Sequence, residues 1–393
     1  MRGKALKTYA RPPMTPAAHG TKGREALSIP SLDGLRAASF FLVFLGHAGL
    51  PYIPVAIPAG FGVTVFFFLS GYLITTLLRL EVEQQGKINF KHFYMRRVLR
   101  IWPPFYLVLA GACALTLGGA LGGELEGPSV MSQAFHYANF WVINHTAKGM
   151  PPGTIVYWSL AVEEHFYLVF PALYAFLVRA KLSGKQQRSL FFAMCGVTLV
   201  WRLVLIHLLG ASFERTYLGS DTRFDSMLFG CALAVYGNPA LDLPKKLRPS
   251  LADIAFFVAG IAVLLASFIY RSEVFRETFR FTVQGLGLYP VFVTAVRFPE
   301  WGPMRLLNLR FMRFLGTISY SLYLVHHMVI IFVDRHGLRP TISGPLSLLS
   351  SIAIATAIWL LVERPFTRLR KRLTHLGRDR NTAVEPAIDQ PVS

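Results

Sequence analysis

The stretch Leu32-Asp33-Gly34-Leu35-Arg36-Ala37-Ala38-Ser39-Phe40-Phe41-Leu42-Val43-Phe44-Leu45-Gly46-His47 decides the fold of this chain. It opens on two charges, continues through apolar and small residues only, and closes on an imidazole. Such a run reads as a membrane helix. Arg36 and His47 are eleven residues apart, three helical turns plus about 20°, so they share one face roughly 16 Å apart along the axis. An ionisable group at that depth is costly unless it faces a cavity or a partner, which makes His47 a candidate functional residue. The bland alternative is a histidine that bonds a neighbouring helix as structural glue.

The composition agrees. The chain has 393 residues, 53% hydrophobic and 16% charged, with a mean hydropathy of +0.45. These values exclude an ordinary soluble domain and predict an all-α, polytopic transmembrane bundle. About ten spanning helices are expected, near 32–50, 59–79, 101–121, 155–178, 190–209, 224–237, 251–270, 279–296, 313–333 and 343–363. When alternate connections are assigned to opposite sides, 31 of the 40 Lys and Arg residues fall on the side holding both termini. By the positive-inside rule both termini are cytoplasmic. The net charge of +19 then lies along an anionic lipid leaflet and requires no nucleic-acid partner. The expected organisation is a basic, disordered tail over 1–28 without an apolar signal segment, a transmembrane domain over 29–372, and a second disordered tail over 373–393. Cys113, Cys195 and Cys231 sit in apolar runs and give neither metal-ligand spacing nor a disulfide framework, so no metal is expected.

Topology places the other unusual residues in depth. His47 lies in the outer half of the first span. The fourth span opens with Trp158-Ser159-Leu160-Ala161-Val162-Glu163-Glu164-His165, the sixth with Arg223-Phe224-Asp225, and the ninth passes through Tyr323-Leu324-Val325-His326-His327. Four helices thus bring titratable groups to one outer depth, as a shared site requires. Consecutive residues point about 100° apart, so Glu163 and Glu164 cannot both face one cavity squarely. One is expected to orient or charge-stabilise His47 as a general base, the other to pair with an arginine such as Arg223. On the inner side Arg97 and Arg100, one turn apart and level with Arg36, suit a phosphate or diphosphate, although basic residues there also satisfy the positive-inside rule. Ser70-Gly71 in the second span would let a backbone or a slim ligand chain pass close by. Anion-binding arginines inside and an acid–base cluster three turns further out fit a substrate with a phosphate head, a long arm and a reactive end. Acyl-coenzyme A has that form. No serine or cysteine stands out as a covalent nucleophile, which favours direct transfer.

The same residues resemble the acyltransferase 3 family, the integral-membrane O-acyltransferases of the O-antigen and exopolysaccharide type. The likeness runs from about Ile29 to Pro365. It rests on Leu32-Asp33-Gly34-Leu35-Arg36 with the spacing to His47, on Phe68-Leu69-Ser70-Gly71-Tyr72-Leu73-Ile74, on Arg97-Val98-Leu99-Arg100 and on Trp158-Ser159-Leu160-Ala161-Val162-Glu163-Glu164. Weaker echoes are Arg223-Phe224-Asp225, Tyr320 to His326 and Glu363-Arg364-Pro365. The resemblance implies transfer of an acyl group, usually acetyl, from cytoplasmic acyl-coenzyme A to a hydroxyl of a carbohydrate or glycosylated acceptor, in a bacterial cytoplasmic (inner) membrane. On lipopolysaccharide or exopolysaccharide such transfer is a surface modification. It implies His47 as the base, with Asp33 and Arg36 in the same motif and Glu163 or Glu164 at the active centre. Arg97, Arg100, Arg36, Ser70 and Gly71 would serve the coenzyme, and Trp158, Arg223, Asp225, Tyr323 and His326 the acceptor. The chain departs from the family at His165, where many members carry glutamine, and at Met328, where many carry proline. A hydrolase-like domain, found in longer members, does not follow the last span, so a second transfer step would need a separate partner. Two competing readings are a proton-coupled transporter of a glycan or small molecule, for which the inverted repeat is missing, and a non-catalytic acyl-coenzyme A or lipid sensor.

Overall fold

A computed structural model describes residues 29–49, 59–244, 246–370 and 373; the expected tail 1–28 and all but residue 373 of the expected tail 373–393 lie outside them. The described residues are helical, with no strand. In chain order the helices are α1 (Pro30–His47), α2 (Ala59–Gln85), α3 (Phe90–Leu117), α4 (Gly127–Ala134), α5 (Ala138–His145), α6 (Trp158–Arg179), α7 (Gly184–His207) and α8 (Phe213–Leu218). There follow α9 (Ser220–Val235), α10 (Leu251–Ile269), α11 (Glu273–Glu277), α12 (Arg280–Arg297), α13 (Met304–Leu307), α14 (Arg310–Thr317), α15 (Ser319–Asp334) and α16 (Pro340–Ile358). The helix starts follow local chemistry. Pro30 sits in the first turn of α1, Asn89 caps α3 by accepting the His92 N–H at 3.0 Å, and Ser183 with Gln186 forms a capping box at α7.

Each of the ten expected segments is helical. Among the described residues six helices are long and apolar enough to cross a membrane, or seven if α14 and α15 count as one span. Two expectations need adjustment. The segment 313–333 is a broken element, bent by 77° where α14 meets α15. And α1, α9 and α12 do not qualify on length and apolarity: α9 has only 16 residues, and polar and charged residues dilute the apolarity of α1 and α12. Their placement explains how an integral membrane protein tolerates them: every residue of α9 except Asp221 and Phe224 is buried, with α2, α7 and α12 packed around it. The largely apolar α10 and α16 lie at the periphery, with most of their surface outward.

The α2–α9 crossing is set by small residues. A Cβ on Gly71 would collide with the carbonyl of Met227, and one on Gly230 with the carbonyl of Phe68, so the two backbones touch reciprocally. Gly71 therefore serves the packing of α2 on α9, as small residues at a helix crossing do. The long connection 122–154 forms the short helices α4 and α5, fixed onto α9 by Asn139, whose Nδ2 donates to Ser220 Oγ at 3.0 Å.

Candidate active site

A cavity of about 630 Å³ opens among α1, α2, α3, α6, α15 and the extension of α16. Asp33, Arg36, Ser70, Arg97, Arg100, Glu163, Glu164, Tyr323, Glu363 and Arg370 all line it. The sequence thus anticipated its basic component: Arg36, Arg97 and Arg100 converge from two helices. Arg36 Nη1 donates to Asp33 Oδ1 at 2.9 Å, one turn back on the same helix, which fixes the guanidinium at the helix start. The Arg97 guanidinium lies 4.8 Å from the centroid of the Tyr167 ring. Neither Arg97 nor Arg100 forms an ion pair among the described residues, leaving forked donors for an oxyanion.

The carboxylates belong to this cavity and not to His47. Glu163 Oε1 accepts from Ser70 Oγ at 2.8 Å, and its Oε2 from the Tyr167 hydroxyl at 3.1 Å. Glu164 lines the same space. The expectations that one glutamate orients His47 and the other pairs with Arg223 are both corrected. Two consecutive residues 100° apart reach one cavity because it is wide and polar along the whole side of α6. Sequence reasoning also underrated two lining residues, Glu363 and Arg370. Glu363 ends a π-helical turn, Trp359–Glu363, and accepts from Ser321 Oγ at 2.5 Å. Its signal was the Glu363-Arg364-Pro365 echo; Arg370 was hidden in the basic excess near the end of the last span.

The titratable groups therefore occupy two layers, not one. His47, at the end of α1, is absent from the cavity wall, which on that side is formed by Val63, Phe66, Ser159 and Tyr323. Behind it His47 meets α15. His326 is fully buried, its Nδ1 2.8 Å from the Tyr323 carbonyl oxygen and its Nε2 3.2 Å from His47 Nδ1. The His327 ring lies 4.6 Å from that of His47, centroid to centroid. With both rings neutral, one pair of tautomers satisfies these contacts. A carbonyl only accepts, so His326 Nδ1 carries the hydrogen; its neutral ring then accepts at Nε2, and His47 must donate from Nδ1. His47 Nε2 is left with a lone pair. The two layers join through Tyr323: its hydroxyl is 2.7 Å from Ser159 Oγ and donates to the Val156 carbonyl at 3.1 Å, while its ring lies 5.4 Å from that of His326.

The remaining expected site residues lie beside this axis. Asp225 is fully buried and accepts from Arg202 Nη2 at 2.7 Å, with Thr282 Oγ1 on the same oxygen at 3.1 Å. It is committed to a structural ion pair tying α7, α9 and α12, so its expected contact with the acceptor is corrected. Arg202 betrayed itself in the sequence only as a lone cation inside an apolar run. His165 bonds Ser220 Oγ at 2.7 Å through Nδ1, away from both layers. Trp158 packs edge-on against Phe67 and over Tyr217, beside the buried Arg223.

Comparison with known proteins decides the family. The acyltransferase-domain family model, acyltransferase 3, matches residues 29–364. The chain belongs to the acyltransferase 3 family. It is 28% identical over 354 residues to the O-acetyltransferase OatA of Staphylococcus aureus, a match covering 86% of this chain and 57% of that protein. It is 29% identical over 316 residues to the peptidoglycan O-acetyltransferase OatA of Listeria monocytogenes, covering 77% of this chain and 49% of the relative. The chain thus spans about half the length of these curated relatives. No solved structure matches it.

Proposed function

We propose that this protein moves an acyl group, most simply acetyl, from acyl-coenzyme A to a hydroxyl of a carbohydrate acceptor, with His47 as general base. The observation that carries the reading is the His47–His326 pair, which leaves a lone pair on His47 Nε2 across Tyr323 from an arginine-lined cavity. Peptidoglycan O-acetylation, named for the Listeria relative, makes a cell-wall glycan the first acceptor to try. The charge bias of the sequence orients the arginine end toward the cytoplasm, where acyl-coenzyme A is available, in a bacterial cytoplasmic membrane.

The residues divide the work. Arg97, Arg100 and Arg36 grip the phosphates of the donor. The acyl arm runs past Ser70 and Glu163 toward Tyr323, which with Phe66 stands between the cavity and His47. Rotation of the Tyr323 ring, breaking its bonds to Ser159 and Val156, admits the thioester. His47 Nε2 then takes the proton of the acceptor hydroxyl as that oxygen attacks the thioester carbonyl. The C–S bond breaks, the thiolate recovers the proton from the imidazolium, and the ester and coenzyme A thiol leave. His326 touches neither substrate; it positions His47 and holds its tautomer.

The deciding experiment is release of free coenzyme A from acetyl-coenzyme A by the purified protein, wild type beside His47→Ala, with and without a cell-wall glycan extract. Glycan-stimulated release is expected, falling about 10²- to 10⁴-fold in the variant, the range of general-base catalysis. Glycan-dependent release at wild-type rate from His47→Ala would sink the assignment.

A further inference from the structure

Beside the reaction axis lies a pair of buried cations that the reaction does not use. Arg223 on α9 is fully buried and Arg280, at the start of α12, is 5% exposed. Both guanidiniums lie against the Phe281 ring, 3.8 and 4.8 Å from its centroid. Arg223 donates to the Tyr217 carbonyl at 3.1 Å and to Thr64 Oγ1 at 3.2 Å, but its Nε has no partner. Arg280 is emptier: Nε and Nη2 are buried and unpartnered, and its side chain donates no hydrogen bond among the described residues. Neither arginine forms an ion pair among the described residues, and the nearby Asp225 is taken by Arg202. The stretch 50–58, outside the described residues, contains no Asp or Glu.

Two buried charges without an ion pair, reached only at longer range by Asp225 and Glu277, are strongly unfavourable inside a membrane protein, and aromatic faces offset only part of that. Three buried nitrogens, bearing four N–H groups without acceptors among the described residues, add to the deficit. An oxyanion would satisfy both. Its position suggests whose: Arg223 bonds Thr64, near the start of α2, at the end of the bundle where His47 lies. Arg223 also lies 5.7 Å from the Trp158 ring, and the next residue, Ser159, is bonded to Tyr323. The donor's phosphates have their own arginines in the cavity, which Arg223 and Arg280 do not line.

We propose that Arg223 and Arg280 form an anion subsite for the acceptor, which carries a carboxylate or phosphate close to the hydroxyl that is acylated. This deepens the acyltransferase reading and rests on it. Methyl glucoside, methyl glucuronide and glucose 1-phosphate are compared on the full-length protein in phosphatidylcholine nanodiscs, with acetyl-coenzyme A as donor. Acyl transfer and thermal stabilisation are both read. The charged sugars should exceed the neutral one at least tenfold in kcat/KM and stabilise the protein where methyl glucoside does not. Arg280→Gln and Arg223→Gln should remove both preferences, and Arg280→Lys should keep most of each. Because Arg280 makes no side-chain hydrogen bond among the described residues, its variant carries the test if Arg223→Gln does not fold. Equal behaviour of charged and neutral sugars, or a preference that survives Arg280→Gln, would overturn the proposal. So would stabilisation by added phosphatidylglycerol, lost in Arg280→Gln, with none by the sugars: the pair would then hold a lipid headgroup. Absence of transfer to every sugar would count against the acyltransferase reading alone, and the stabilisation arm would still decide the subsite.

Discussion

Replacing His326 by alanine tests the histidine pair most directly. In the native arrangement His326 Nε2 accepts from His47 Nδ1 at 3.2 Å, and that bond places the lone pair on His47 Nε2. Between neutral rings it contributes about 1 kcal/mol, but once His47 becomes an imidazolium it joins a charged donor and is worth about 1.5–3 kcal/mol. The difference acts only as the proton is transferred, so it belongs to kcat. Freeing His47 to take the other tautomer adds about 1–2 kcal/mol. Together these lower kcat roughly 10- to 1000-fold, at about 1.36 kcal/mol per factor of ten. The KM for acetyl-coenzyme A should stay within about twofold, because His326 does not line the arginine cavity. Thiol-detected coenzyme A release over a range of donor concentrations separates the two. Glutamine at 326 can still accept through its carbonyl and should restore part of the rate. The double variant with His47→Ala should be no slower than His47→Ala alone, since both act through one nitrogen. Wild-type kcat in His326→Ala, or a raised KM with kcat intact, would refute the argument.

Arg97→Ala removes a donor-binding guanidinium and should raise the KM for acetyl-coenzyme A about tenfold or more with a smaller change in kcat, measured in the same assay. Asp225→Asn strands the buried Arg202 charge and should cost about 3–5 kcal/mol, seen as lost expression or a greatly lowered Tm, whereas Arg202→Met combined with Asp225→Leu should recover much of it. At the end of the bundle away from His47, Asp242 is partly buried, which opposes ionisation. The hydrogen bonds from Arg79, at 2.6 and 2.8 Å, and from the Asn238 N–H outweigh this and hold the carboxyl below the usual range. A depressed carboxyl stabilises the fold above its unfolded pKa of about 3.9 and loses that contribution as pH falls through the folded value. Asp242→Asn should therefore lower Tm by a few degrees at pH 7, with the difference shrinking below about pH 4, followed by thermal unfolding in detergent.

The helices themselves were legible because a bilayer imposes a length and an apolarity that sequence alone reports, and capping residues such as Asn89 and Ser183 mark where helices begin. The inner cluster of Arg36, Arg97 and Arg100 was legible for a similar reason, since helical spacing fixes depth. What depth does not give is rotation about the helix axis. His47, Glu163 and His326 were placed at one level, yet only the packing of α1 against α15 turns His47 toward His326, while Glu163 turns toward Ser70 on α2. Likewise Asp225 and Arg223, two residues apart, point to different partners, one to a neutralising arginine and the other into an aromatic cage. The sequence by itself determined that these charges lie within a membrane bundle and near which end. Only the tertiary structure decided which of them meet, because pairing depends on helix rotation and neighbour choice, and those follow from close approaches such as the Gly71–Met227 crossing that no single helix encodes.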